Sequence, residues 1–185
     1  GKMGFEIAKT AANLGAEVFL VAGPSHQQVN HSFIHRIDVK SAQDMYEACH
    51  KYFAEVDIAV LSAAVSDYRP KNVATQKIKK KEAALSIELE PTKDILKSLG
   101  EIKKKQLLVG FALETNDEVQ NAKSKLTRKN LDFIVLNSLR DKGAGFATDT
   151  NKITIIDADF NEKSFDLKSK KAVSKDIVNE IIQKL

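Results

Sequence analysis

The sequence predicts an α/β domain built on a doubly wound, mostly parallel sheet. Three observations predict it. Helical and strand hydrophobic periods alternate along the whole chain, with no internal repeat and no low-complexity linker. Two segments, VDIAVLSAAV (56–65) and LLVGFALE (107–114), are nearly continuous apolar runs, the mark of parallel strands covered on both faces. Glycines open the first helix, in GKMG (1–4), as they do where a helix follows a strand and its N-terminus faces an anion.

Taken in order, residues 2–14 place Phe5, Ile7, Ala8, Ala11, Ala12 and Leu14 at helical spacing, and Gly15 is placed to stop that helix. AEVFLVA (16–22) reads as a strand ended by Gly23-Pro24, and a shorter strand follows at 34–39. Ser41 is a suitable N-cap for a helix carrying Met45, Tyr46, Cys49 and Phe53. Segment 56–65 then reads as a central strand. ALSIELE (84–90) alternates cleanly as a strand, and a helix is expected at 92–104 with Thr92 as its cap. Strand 107–114, helix 117–130 and strand 132–137 continue the alternation. KITIIDA and KSFDL, joined by Asp159-Phe160-Asn161-Glu162, predict a C-terminal β-hairpin, and helix 172–184 closes a Rossmann-like fold. In such a fold a strand feeds the first helix, so a strand and phosphate loop are expected upstream of Gly1.

Composition narrows the function. At 185 residues the chain fits one domain, 1–185, with 43% hydrophobic and 29% charged residues, as in globular proteins. No apolar run approaches the ~18 residues of a membrane span, so no membrane partner is expected. Cys49 stands alone, which excludes an internal disulfide and fits a cytoplasmic location. A net charge of +4 is too mild to argue for nucleic acid. The charge is clustered, however. Five lysines and no acid lie between Lys71 and Lys81, and a second group comprises Lys123, Lys125, Arg128 and Lys129. The spacing of His26, His31 and His35 suits no metal site, and no residue is assigned as a metal ligand.

The N-terminus of the first helix, at Gly1 and Gly4, offers unpaired N–H groups and a positive dipole end to phosphate, or simply lets helix and sheet pack closely. A dinucleotide site would carry an acid at the end of the next strand. The residues there are Val21-Ala22-Gly23-Pro24, which disfavours a plain NAD dehydrogenase. An NADPH- or flavin-binding module remains the alternative. A nucleic-acid surface built on the lysine clusters is a third, opposed by the absence of Trp and of any aromatic among Lys77–Lys81. In helix 117–130, Val119, Ala122 and Leu126 form an apolar stripe. Lys125 and Lys129, four residues apart, lie on one flank, where both can reach one anion. Residues 69–83 are long, polar and lysine-rich, and read as a flap over phosphates.

GKMG before a helix, LVAGP, SAAVSDYRP, QKIKKK, TKDIL, VGFALETN and KLTRKNLD, in that order, resemble the phosphopantothenoylcysteine synthetase module of the bifunctional coenzyme A biosynthesis flavoprotein family, over Gly1 to about Asn151. The resemblance implies a ligase that joins 4′-phosphopantothenate to L-cysteine through an acyl-cytidylate formed with CTP. It implies Mg²⁺ with the CTP, FMN only in a separate decarboxylase module, and a homodimer, for which the terminal hairpin and strand 84–90 are candidate contacts. It assigns Ala63 and Asp67 to the nucleotide, and Lys77 to stabilising the triphosphate and departing pyrophosphate, with Lys79 and Lys80 completing the run. Asp94, Ile95 and Leu96 would line the nucleotide pocket. Phe111 would sit at the base, and Lys125 and Lys129 would contact phosphate or nucleotide. Lys93 stands where the family has proline. The family's catalytic asparagine lies in an Asn-x-Ser-Ser segment expected before Gly1, so it is assigned to no residue of this chain.

Overall fold

The computed structural model describes residues 1–78, 86–114, 116–138 and 148–185. Its elements are α1 (Lys2–Asn13), β1 (Val18–Ala22), β2 (Ile34–Asp38), α2 (Ala42–Phe53), β3 (Ile58–Leu61), β4 (Tyr68–Pro70), β5 (Leu89–Pro91), α3 (Ile95–Ile102), β6 (Leu107–Glu114), α4 (Glu118–Arg128), β7 (Phe133–Ser138), β8 (Thr150–Asp157), β9 (Glu162–Ser169) and α5 (Lys170–Ile182). No helix among the described residues is long and apolar enough to cross a membrane.

The predicted fold class holds. A five-stranded sheet runs β3-β6-β7-β8-β9, parallel from β3 to β7, then antiparallel through β8 and the hairpin strand β9. β1 and β2 pair in parallel as a separate ribbon, and β4 with β5 form a short antiparallel arm. Helices cover both faces because adjacent residues of each central strand point opposite ways. Leu108, Ile134 and Ile156 pack with Phe53 of α2, Leu96 and Leu99 of α3, and Leu126 of α4. Val109, Val135, Ile153 and Ile155 pack with Ile7 of α1 and with Val173, Ile177 and Ile181 of α5.

Local chemistry sets the ends. Gly15, at φ +94°, takes the left-handed conformation that stops α1. Ser41 caps α2 and closes a capping box with Asp44. α3 approaches the end of α4 so closely that a Cβ on Gly100 would lie 2.0 Å from the Lys129 carbonyl oxygen, and Asn130 donates to the Gly100 carbonyl at 2.9 Å. That contact, near the end of α3, fixes the helix relative to Lys129.

Three expectations are corrected. Segment 56–65 forms only the four-residue β3, an edge of its sheet that is half-buried throughout, since among the described residues it pairs with β6 alone. Within 84–90, only Leu89 and Glu90 are in a strand among the described residues, and they pair in the exposed β4–β5 arm. Thr92 does not cap α3. Asp94 does, accepting from the Lys97 amide at 3.0 Å, while the Thr92 hydroxyl donates to the Ser66 carbonyl at 2.6 Å.

Candidate functional site

The carboxyl ends of β3 and β6 lie side by side, Leu61 opposite Gly110, where open α/β sheets bind ligands. A continuous set of contacts links most of the residues assigned from sequence. The loop after β3, with Ala63 and Asp67 exposed, is tied to the start of α3 by the Thr92 hydroxyl and by the Thr92 amide, which donates to the Asp67 carbonyl at 2.9 Å. Two residues on, Asp94 forms an ion pair with Lys129 at 2.8 Å. Lys125 lies one helical turn before Lys129 and donates to the Phe111 carbonyl at 2.9 Å. From the other side Gly4 of α1 abuts Ser62, whose hydroxyl would lie 2.7 Å from a Cβ at that position. Gly4 therefore serves the close approach of α1 to the strand end.

The electrostatics are asymmetric. Burial alone would raise the Asp94 carboxyl, but hydrogen bonds from Lys129 and the Lys97 amide hold it below the ordinary carboxylate value. Burial, reinforced by the charge of Lys129, lowers Lys125 below the ordinary lysine value. Lys129 is neutralised by its carboxylate. Lys125 donates to a neutral carbonyl, with the Glu114 and Asp94 carboxylates acting on its charge through space.

Other assigned residues sit differently. Ile95 and Leu96 are 6% and 9% exposed and belong to the core, packed with β6 and β7 rather than presented to solvent. Phe111 is half-buried against the α1/α5 core. Lys77 is exposed beyond the β4–β5 arm, and nothing among the described contacts joins it to Asp94 or Lys125. Lys79 and Lys80, with the end of the expected flap, lie outside the described residues. Gly1 is the N-cap of α1 with no side-chain cap, and the first turn carries no acid, which leaves the helix dipole open to an anion. Cys49 packs against the core, and burial pushes its thiol up to about 11. Lys93 lies over the Tyr46 ring, 4.4 Å from its centre.

Sequence reasoning missed a second cluster, around the start of α1. Lys2 forms an ion pair with Asp149. Lys170 donates through its ammonium to the Thr148 carbonyl at 2.6 Å and through its amide to the Asp149 carbonyl at 2.9 Å. The hydrogen bond and charge of Lys2 hold Asp149 below the ordinary carboxylate value, and burial and Lys2 lower Lys170. Nearby in the sheet, the Oδ1 atoms of Asn137 and Asn151 are buried without a hydrogen-bond partner. The available signal was an asparagine at a core-facing position in each of two otherwise apolar alternating series, DFIVLN and TNKITIID.

Comparison with known proteins adds the following. The family model described as the DNA/pantothenate metabolism flavoprotein C-terminal domain matches residues 1–185. The chain is 53% identical to a cysteine/cysteine sulfinic acid decarboxylase from an unknown prokaryotic organism, over 98% of the chain and 51% of that protein. It is 45% identical to the coenzyme A biosynthesis bifunctional protein CoaBC of Bacillus subtilis (strain 168), over 98% of the chain and 45% of that protein. The chain thus spans about half the length of these relatives. The crystal structure of the C-terminal domain of a coenzyme A biosynthesis bifunctional protein CoaBC superposes with a TM-score of 0.82 at 41% identity, over 98% of this chain and 81% of that one.

Proposed function

We propose that this chain, which belongs to the DNA/pantothenate metabolism flavoprotein C-terminal domain family, is the ligase half of a coenzyme A biosynthesis enzyme. It joins 4′-phosphopantothenate to L-cysteine after CTP has activated the carboxylate. The carboxylate oxygen attacks the α-phosphorus, the acyl-cytidylate forms and pyrophosphate leaves. The cysteine amine then attacks the acyl carbon, CMP leaves, and the amide forms with loss of the amine proton.

One observation carries the nucleotide reading: the contacts running from Asp67 through Thr92, Asp94 and Lys129 to Lys125 and Phe111, at the carboxyl ends of β3 and β6. They set a carboxylate and the Lys125 ammonium where a base, ribose and phosphates meet in such sheets. The chain's work is then positioning and charge stabilisation. Lys125 holds a phosphate oxygen, Asp94 orients Lys129, and Lys77 enters from the arm as negative charge develops on the departing pyrophosphate. Mg²⁺, when bound, neutralises polyphosphate charge. The cluster at the α1 N-terminus fits it by chemistry, with hard oxygen donors in Asp149, Asn137 and Asn151, two of them orphaned. The exposed apolar residues of the arm, Tyr68, Ile87 and Leu89, suit a contact with a second copy, giving a cytoplasmic homodimer. The decarboxylase name belongs to a relative about twice as long, and FMN, if used, belongs to a separate module.

The test is a thermal-unfolding panel with CTP–Mg²⁺, ATP–Mg²⁺ and NADPH–Mg²⁺. A ligand at ~100 times its dissociation constant adds about 2.7 kcal/mol, a rise on the order of 5–10 °C for a domain of this size. A rise with CTP, followed by pyrophosphate release that requires 4′-phosphopantothenate, is expected. A rise with NADPH alone would overturn the reading in favour of a dinucleotide module.

A further inference from the structure

Four side chains join α2 to the start of α3: Tyr46 and His50 on α2, Lys93 just before the α3 cap, and Ser98 within α3. The Lys93 ammonium lies 4.4 Å from the centre of the Tyr46 ring. That ring packs on the His50 imidazole, one helical turn along α2, with centroids 4.2 Å apart. His50 Nε2 lies 2.9 Å from the Ser98 hydroxyl, which donates to the Ile95 carbonyl at 2.8 Å. A hydroxyl has one proton to donate. Ser98 gives it to Ile95, so the imidazole donates through Nε2 and Nδ1 is the nitrogen that titrates.

The two ends of this run bracket Asp94. Lys93 precedes it and the Ile95 carbonyl follows it, while its carboxylate caps α3 and pairs with Lys129 at 2.8 Å. Asp94 has extended backbone dihedrals and so stands outside the helical ladder that orders the rest of α3. Its position is set by what holds its neighbours. Apolar packing alone does not explain the choice of side chains. Tyr46 packs on the core beside Met45 and Cys49, a task that a leucine performs. A half-buried imidazole, by contrast, loses hydration and needs the partner that Ser98 supplies.

We propose that Tyr46 and His50 are positioning residues for the nucleotide site: through Lys93 and Ser98 they hold Asp94, and with it Lys129, in place. This rests on the nucleotide-activating reading above. The clamp also responds to pH. Protonating Nδ1 keeps the Nε2 donor but sets a second positive charge against the ring that Lys93 covers, and Lys93 is driven off it. The other charged groups nearby are already engaged. Asp94 is paired with Lys129, Lys97 with Glu101 at 3.8 Å, Glu47 accepts from Gln43 at 2.6 Å, and Lys51 lies over Tyr52. The Cys49 thiol stays protonated, pushed up by burial to about 11. Burial, then the charge of Lys93, hold the imidazole below the ordinary histidine value of 6.5, so the neutral, clamped form is the one present at neutral pH. Acid below the folded-state value loosens the clamp.

The test measures CTP–Mg²⁺ affinity by calorimetry against pH on the full chain, with imidazole and backbone-amide titrations followed by NMR. His50→Gln keeps a donor for Ser98 and does not titrate, and Lys93→Gln removes the charge that His50 repels. Wild-type affinity should fall about threefold between about pH 7.5 and about pH 5.5, and the fall should vanish in both variants. At neutral pH, His50→Ala should weaken CTP binding about fivefold, with His50→Gln within about twofold of wild type. By reciprocity, CTP should lower the imidazole further. The Asp94 and Lys129 amides should titrate with His50 in wild type and stay flat in Lys93→Gln, where the imidazole still titrates. Should His50→Ala fail to fold, the wild-type and glutamine profiles decide alone. An acid fall in His50→Gln equal to that of wild type, or a Lys129 amide that ignores His50, overturns the proposal and leaves the cytidylate reading intact. Asp94 and Lys129 amides that follow His50 in a protein that CTP does not bind would keep the clamp between α2 and α3 and sink the cytidylate reading.

Discussion

The two lysine groups of this chain are prepared to very different degrees. Lys125 and Lys129 project from a helix whose stripe is anchored by Ala122 and Leu126, 0% and 3% exposed, and each ammonium already has a partner. Lys77 belongs to an exposed segment following a three-residue strand. Fixed cations bind a ground state well, because little ordering is left to do at binding. A long mobile ammonium can instead follow charge that moves during the reaction. The contrast suggests a division of labour, with the body holding the nucleotide and the arm serving the transition state.

The largest expected effect breaks that division at the arm. Lys77→Ala should slow acyl-cytidylate formation about 100-fold, the scale on which loss of one charge-stabilising group acts, while nucleotide affinity changes less than about threefold. Single-turnover pyrophosphate release and equilibrium CTP binding measure the two separately. Equal losses in both would mean that Lys77 is an ordinary ground-state contact.

A second change disturbs the body and leaves the arm alone. Gly100→Ala drives a methyl group against the Lys129 carbonyl, 2.0 Å from the ideal Cβ position, where backbone rather than a flexible side chain must yield. The expected cost is about 1–3 kcal/mol of stability, or several degrees of midpoint. CTP affinity should fall as Lys129 shifts from Asp94, yet turnover at saturating CTP should hold. A variant with unchanged CTP affinity would show that α3 does not set the lysine geometry.

How much of this was legible in the sequence follows from the range of each interaction. The alternating strands and helices were readable because periodicity is local: LLVGFALE is β6 residue for residue. The Ser41 cap was readable for the same reason. The α3 cap was not, because Thr92 and Asp94 are both good caps and a long-range partner, the Ser66 carbonyl, claims the threonine. β3 reads as central by composition, but composition reports how apolar a strand is and not which neighbours pair with it. In the site, the flank carrying Lys125 and Lys129 was visible from helical spacing. The carboxylate that neutralises Lys129 lies 35 residues away in sequence, and the Lys2–Asp149 pair spans 147. No local pattern encodes such pairs.

The smallest effect sharpens the difference between the two lysines of the body. Lys125 is lowered by burial and by Lys129, so it loses its proton at a pH below the ordinary lysine value of 10.5. Its charged form is the one that attracts phosphate, so CTP affinity should fall as pH rises through the folded-state value. Stability should move the other way. Between the folded value and 10.5 the unfolded chain holds more protons than the native one, so unfolding becomes less favourable as pH rises. Other lysines and tyrosines titrate in the same range, and the informative quantity is therefore the difference between wild type and Lys125→Arg, whose guanidinium stays charged throughout. In that difference the affinity loss should reach about tenfold at most, roughly 1.4 kcal/mol, with the stability gain appearing only in wild type. Opposed slopes would identify Lys125 as the cation that holds phosphate. Affinity and stability falling together in wild type would instead place the alkaline titration in another group that stabilises the fold, and the phosphate contact would then belong elsewhere in the body.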